Sequence, residues 1–183
     1  MNDVATLPLR TERLLLPAWR DDFAADLAAM TGDPRVARHP GQRPWTRARA
    51  AERHRRALDH WSRHGFGWRA VLDAADATFL GVVSLSWLDD ALPGIDDPAL
   101  EIGWWAVADA WGRGTAPEAA GAVLAEAFTR VRIALVVARC APANRASERV
   151  MRKLAMTRHR AVPGQLVYLA RPQSPHFSPP GAR

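Results

Sequence analysis

A mixed α+β fold is predicted by three features of this sequence. Leu100–Val107 is an apolar run rich in β-branched and aromatic residues, which reads as a strand. A tight turn, Trp111–Ala116, follows it. Apolar residues then fall at Ala116, Ala119, Ala120, Val123, Leu124, Ala127 and Phe128, the spacing of one buried helix face. The second feature is Val131–Arg139 (VRIALVVAR), a dense apolar run and the best candidate for a buried central strand. Strand, helix and strand in that order imply a parallel pair joined by a right-handed crossover. The third is the pair Gly67–Leu72 and Phe79–Trp87, joined through Asp73–Ala77, which reads as an antiparallel hairpin.

The other elements follow in chain order. Leu14-Leu15-Leu16 lies in a short first strand from about Leu9 to Pro17, with Thr11-Glu12-Arg13 before it. Asp21 or Asp22 is placed as the cap of a short helix carrying Phe23, Leu27 and Met30, broken by Thr31-Gly32-Asp33-Pro34. Thr46 is expected to cap a longer helix, Arg47–His64, ended by Gly65. Its inner face is expected to carry Ala50, Ala51, His54, Leu58 and Trp61, with Arg47, Arg49, Arg55, Arg56 and Arg63 wet. Asp89–Pro98 is a loop with four aspartates. Asn144 is the expected N-cap of a helix reaching about Leu154, with Ser147, Val150, Met151 and Leu154 on one face. Arg158–Val162 and Leu166–Ala170 form a final hairpin. One domain over residues 1–171 is expected, with a flexible proline-rich tail at 172–183.

With 183 residues and 48% apolar content, the chain is long enough for one proper core. No apolar run is long enough to span a bilayer, and MNDVATLPLRTER lacks a signal-peptide core. Cys140 is the only cysteine, which excludes an internal disulfide and a cysteine metal cluster. A cytoplasmic location without membrane attachment is expected. The net charge of +6 comes largely from arginines scattered between Arg10 and Arg183. No recognition motif organises them, so surface charge and attraction to an anionic ligand explain the balance better than nucleic-acid binding. His39, His54, His60, His64, His159 and His176 show no metal-ligand spacing, and no metal is expected.

The glycine turn carries the chemistry. Gly112 and Gly114 let a ligand approach the backbone, and the free N–H groups of a first helical turn offer an anion site that Arg113 strengthens. Two glycines can also serve only as a short connection. The G-x-x-x-x-G-K-[ST] pattern of a P-loop is absent, as is the third glycine of G-x-G-x-x-G. Pro117 is tolerated in the first turn, where its missing N–H has no acceptor to lose.

Trp111-x-x-Gly114-x-Ala116 resembles the acyl-coenzyme A loop of the GNAT N-acetyltransferase superfamily, [QR]-x-x-G-x-[GA], with Trp111 in place of the polar first residue. The longer string EIGWWAVADAWGRGTAPEAA and the opening LRTERLLL resemble the RimJ/RimL-type branch. NRASERVMRKLAM is similar to the family's N-x-x-[AS]-x-x-x-x-x-K-L-G-[MF] segment, with Ala155 replacing the glycine, so different dihedrals are expected there. The resemblance implies a twisted, mostly antiparallel sheet, helices on both faces and a splayed central parallel pair. It implies acetyl-coenzyme A as co-substrate, with backbone contacts around Trp104, Trp105, Ala106 and Val107 and pyrophosphate at Gly112, Arg113, Gly114, Thr115 and Ala116. Asn144 is a further candidate contact.

Glu101 is the candidate base, directly or through water, against the alternative of a carboxylate spent in a salt bridge. Ser147 is the candidate acid or thiol contact, against a core-facing hydroxyl bonded back to its helix. Met151 stands where many superfamily members have a tyrosine and cannot donate a proton. Trp104, Trp105 and Trp111 read as core and cleft walls. The implied partners are acetyl-coenzyme A and an amine acceptor, a protein N-terminus or a small molecule, with a homodimer left open. A GNAT fold that holds coenzyme A or a protein without catalysis is the alternative.

Overall fold

A computed structural model describes residues 7–37, 43–96, 98–159 and 162–172. His39, Asp97, His176 and nearly all of the proline-rich tail lie outside them. One eight-stranded sheet runs in the order β1-β2-β3-β4-β5-β6-β8-β7. Its strands are β1 Leu9–Arg10, β2 Leu14–Leu16, β3 Arg69–Asp73, β4 Phe79–Trp87, β5 Leu100–Ala106, β6 Val136–Cys140, β7 Thr157–Arg158 and β8 Leu166–Ala170. The helices are α1 Ala24–Gly32, α2 Arg47–His64, α3 Thr115–Glu126 and α4 Arg145–Lys153. Every strand pair is antiparallel except β5 with β6.

The side-chain alternation of β5 sorts the core into layers. Leu100 and Ile102 face α3 and α4, packing with Ala119, Ala120, Val123, Leu124 and Met151. Trp105 faces α1 and α2, beside Leu27, Met30, Ala57, Trp61 and Trp68. Further along that second face, Ala99, Leu135 and Val137 are covered by Leu88, Leu92 and Ile95. The helices thus lie on both faces, as the family resemblance implies.

Helix α2 has its predicted ends: Thr46 accepts a hydrogen bond from the Arg49 N–H at 3.2 Å, and Gly65 ends it in the left-handed conformation. Its inner face differs in part, since Ala57 is buried, Leu58 is half-buried and Ala51 is exposed. Neither aspartate caps α1. Asp21 lies 3.2 Å from His54 Nε2, Asp22 pairs with Arg20, and a 3₁₀ turn at Asp21–Phe23 leads into the helix instead. His54 is buried as expected, accepting from the Trp19 indole at Nδ1.

Three further corrections have local causes. The expected single first strand is a hairpin, because Thr11 and Leu14 close a turn with two hydrogen bonds at 3.0 Å. The expected strand Val131–Arg139 begins only at Val136. Ahead of it, α3 widens into a π turn at Ala127–Val131, and Arg132 reverses the chain with φ 61°. The turn after α4 keeps the left-handed geometry of a glycine, with Ala155 at φ 54°.

Arg69 was legible only as a strand residue, yet it is buried and ties the layers together. It donates to Glu126 of α3 at 2.8 Å through Nε and to the Leu16 carbonyl at 3.0 Å. This buried pair holds the rear of α3 against β3, which fixes where its N-terminus points.

Candidate active site

Strands β5 and β6 pair only at Leu100↔Val136 and Glu101↔Val137. Beyond those pairs both strands continue apart, to Ala106 and Cys140. Backbone alternation decides which groups face the resulting gap. The Leu100 N–H donates to Leu135 on that side, whereas the Val107 N–H donates to Leu80 on the β4 side. The even-numbered residues Trp104 and Ala106 therefore present their backbone to the gap. Trp105 and Val107 turn theirs to β4. The Ala106 carbonyl already accepts from the Trp111 indole N–H at 3.1 Å.

A cleft of about 320 Å³ opens along this gap. Trp104, Trp105, Ala106, Gly112, Gly114, Thr115, Ala116, Asn144 and Ser147 line it. The two glycines take φ of 76° and 79°, a conformation costly for residues with a Cβ. A Cβ on Gly112 would meet nothing within 4 Å, so the space before the turn is open. The first-turn N–H groups of Thr115 and Ala116 have no intrahelical acceptors. Cationic Arg149 and Lys153 face the same cleft from α4. A pyrophosphate-bearing ligand fits that donor set.

Glu118 would spoil this anion site if its carboxylate pointed into it. It is turned away instead: its Oε1 accepts from Thr11 Oγ1 at 2.6 Å and from the Arg13 N–H at 3.1 Å. Arg13 Nε reaches Oε2 at 2.8 Å, and Arg13 Nη1 holds the Arg113 carbonyl at 2.9 Å. Burial pushes the Glu118 carboxyl up, but these hydrogen bonds outweigh it and hold it below the usual range. The N-terminal hairpin thus buttresses the glycine turn.

On the other face of the sheet lies a cleft of about 560 Å³. Glu101 and Arg139 form its charged floor. Arg139 donates from Nε to Oε1 at 2.9 Å and from Nη2 to Oε2 at 2.6 Å, and a third bond reaches Asp90 at 3.0 Å. The hydrogen bonds Arg139 donates to Glu101 and, less strongly, to Asp90 outweigh burial and raise its pKa above the ordinary value. Glu101 therefore does sit in a salt bridge, at 30% side-chain exposure, where solvent still reaches it. The opposite wall is Trp45, with Arg49 and Arg53 above its ring.

The two clefts share Trp104, Trp105, Asn144 and Ser147. Asn144 caps α4, accepting from the Ser147 N–H at 3.1 Å, and so holds the Ser147 backbone at the junction. Cys140 also lines the larger cleft, but burial and the nearby Glu148 charge push its thiol up, away from the reactive thiolate. Tyr168 is buried and donates to Glu148 at 3.0 Å, away from both clefts. Among the described residues no three metal-liganding side chains converge, and no helix is long and apolar enough to cross a membrane.

The sequence names Glu101, Ser147, Asn144, Trp104–Val107 and the glycine turn, and these all border the clefts except Val107, whose N–H bonds Leu80, and Arg113, whose carbonyl is held by Arg13. It missed Arg139, Arg149 and Lys153. The i, i+4 spacing of Arg149 and Lys153 was the available signal, since it places both on one helix side.

Solved structures share this architecture. An acetyltransferase from Agrobacterium tumefaciens str. C58 superposes with a TM-score of 0.74 at 25% identity, covering 90% of this chain and 94% of that one. RimL, a ribosomal L7/L12 α-N-protein acetyltransferase in complex with coenzyme A, gives 0.69 at 17% identity over 90% and 97%. A ribosomal-protein-S5-alanine acetyltransferase from Vibrio fischeri gives 0.69 at 14% over 94% and 100%. The last two likenesses are of fold alone. The family described as "Acetyltransferase (GNAT) domain" matches residues 13–157, a span that holds the splayed strands, the glycine turn and both clefts. The chain belongs to the GNAT acetyltransferase family.

Proposed function

We propose that this enzyme moves an acetyl group from acetyl-coenzyme A to a primary amine by direct attack in a ternary complex. The observation that carries the reading is the meeting of two clefts at Trp104, Trp105, Asn144 and Ser147. Acetyl-coenzyme A, when bound, supplies an activated thioester. The Thr115 and Ala116 N–H groups, with Arg149 and Lys153, hold its phosphates. Backbone groups of Trp104 and Ala106 hold its amide-bearing arm in the manner of an added strand. The amine enters from the larger cleft.

Glu101 takes the amine proton through water. Both its oxygens already accept from Arg139, so Arg139 is a positioning residue that fixes the carboxylate. Ser147 stands at the junction to give a proton to the departing sulfur. Holding both reactants at one point supplies much of the rate. RimL, whose described substrate is a protein α-amine, supports a protein N-terminus as one acceptor class.

The test is thiol release from acetyl-coenzyme A with a panel of amines. Amine-dependent release is expected, falling at least about tenfold in Glu101→Gln and in Ser147→Ala. Coenzyme A affinity in Glu101→Gln should stay unchanged by calorimetry. Coenzyme A binding without amine-dependent release would favour a non-catalytic binding module.

A further inference from the structure

We propose that the amine acceptor carries an anionic group, a carboxylate or phosphate, held by Arg49 and Arg53 at the Trp45 wall of the larger cleft. This rests on the transfer reading above. Arg49 and Arg53 lie one turn apart on α2, with guanidinium carbons 4.9 and 6.0 Å from the centre of the Trp45 ring. Trp45 packs edge-on against Trp105 at 6.2 Å, and Trp105 borders the junction of the clefts. The arginine pair is thereby fixed to the wall of the reaction site.

Its charge is unspent. Among the described residues neither arginine has a carboxylate partner, whereas Arg56 on the same helix pairs with Glu52 at 2.6 Å. Arg43 adds a third cation to the cleft lining. The opposite end is balanced the other way, because Arg139 is matched by both Glu101 and Asp90 and Asp89 adds a further carboxylate. Glu101 and Trp105 lie on one face of β5, four residues apart, so the acidic and basic ends are distinct positions along the cleft.

A bipolar cleft selects a bipolar ligand. An incoming ammonium is drawn toward the acidic pole, and a carboxylate or phosphate on the same molecule is drawn toward the arginines. A diamine would press its second ammonium against uncompensated guanidinium groups. Asp89 and Asp90 by themselves would favour cationic acceptors such as polyamines, but the arginine wall disfavours them. Two sources share the chemistry: a small amino-acid-like amine, and the N-terminus of a peptide with acidic residues next in line.

Matched acceptors separate them. Thiol release from acetyl-coenzyme A is measured for glutamate against putrescine, and for a tetrapeptide with two glutamates after its first alanine against its lysine counterpart. The anionic member of at least one pair should show a kcat/KM at least tenfold higher, and the responding pair identifies the source. Arg49→Gln/Arg53→Gln should erase that preference by raising KM, while Arg55→Gln/Arg56→Gln removes equal charge elsewhere on α2 and keeps it. Equal rates within both pairs, a cationic preference, or a preference surviving in Arg49→Gln/Arg53→Gln would overturn the proposal. If coenzyme A binds but no amine is turned over, the transfer reading fails. Titrating the acidic tetrapeptide into the coenzyme A-loaded protein then decides alone: binding lost with Arg49 and Arg53 supports the anionic site, and absence of binding overturns it.

Discussion

Two single residues show how a departure from a family pattern can be absorbed. Trp111 replaces a polar residue at the head of the glycine turn, and its indole N–H is used internally, on the Ala106 carbonyl at the end of β5. The sequence displayed the replacement but not its partner, because a side chain-to-backbone bond across a turn leaves no periodic signal. Ala155 replaces a glycine yet keeps φ at 54°. Its N–H bonds Arg152 and the next bonds Met151, so the closing turn of α4 imposes the conformation. A left-handed alanine costs about 1–2 kcal/mol, and a glycine loses about 0.5–1 kcal/mol more chain entropy on folding. Ala155→Gly should therefore be stabilising, raising Tm by roughly 2–4 °C for a chain of this size. Thermal unfolding checks this, and an unchanged or lower Tm would show that the alanine is not strained.

At the scale of elements, helices were more legible than strands. Thr46 and Gly65 bound α2 because capping chemistry is local and written in neighbouring residues. The run Val131–Leu135 looked like strand by composition, but composition does not register a π turn followed by a left-handed Arg132. The hairpin around Thr11 was missed for a different reason. Its partner, Glu118, lies 107 residues away, and one reading of the hairpin without the other shows only a short apolar strand. That long-range clamp carries a functional consequence. Arg13 neutralises the carboxylate of Glu118 beside the glycine turn and holds the turn's own backbone at Arg113. Arg13→Gln should weaken coenzyme A binding about tenfold while the KM for the amine stays unchanged, since the larger cleft does not include Arg13. Calorimetry with coenzyme A, paired with amine kinetics, checks it. Equal losses on both substrates would indicate general unfolding rather than a local effect on the turn.

For the molecule as a whole, the crossover from β5 through α3 to β6 was legible from apolar runs and a glycine turn, and it sets the parallel pair that splays. The balance of charge across the clefts was not. Arginines on α2 read as solvated surface in a chain with 25 Lys and Arg residues, and only folding sets two of them over Trp45. Likewise Arg139 closes the strand β6 in sequence but meets Glu101 and Asp90 only through pairing of the sheet. In the proposed reaction both substrates occupy their clefts together and react where the clefts join. The most direct measurement varies acetyl-coenzyme A and the amine in one set of initial-rate experiments. Double-reciprocal lines that intersect, with the amine gaining one acetyl group, are the result predicted for a ternary complex. Parallel lines, the mark of an acetylated enzyme formed before the amine binds, would contradict it.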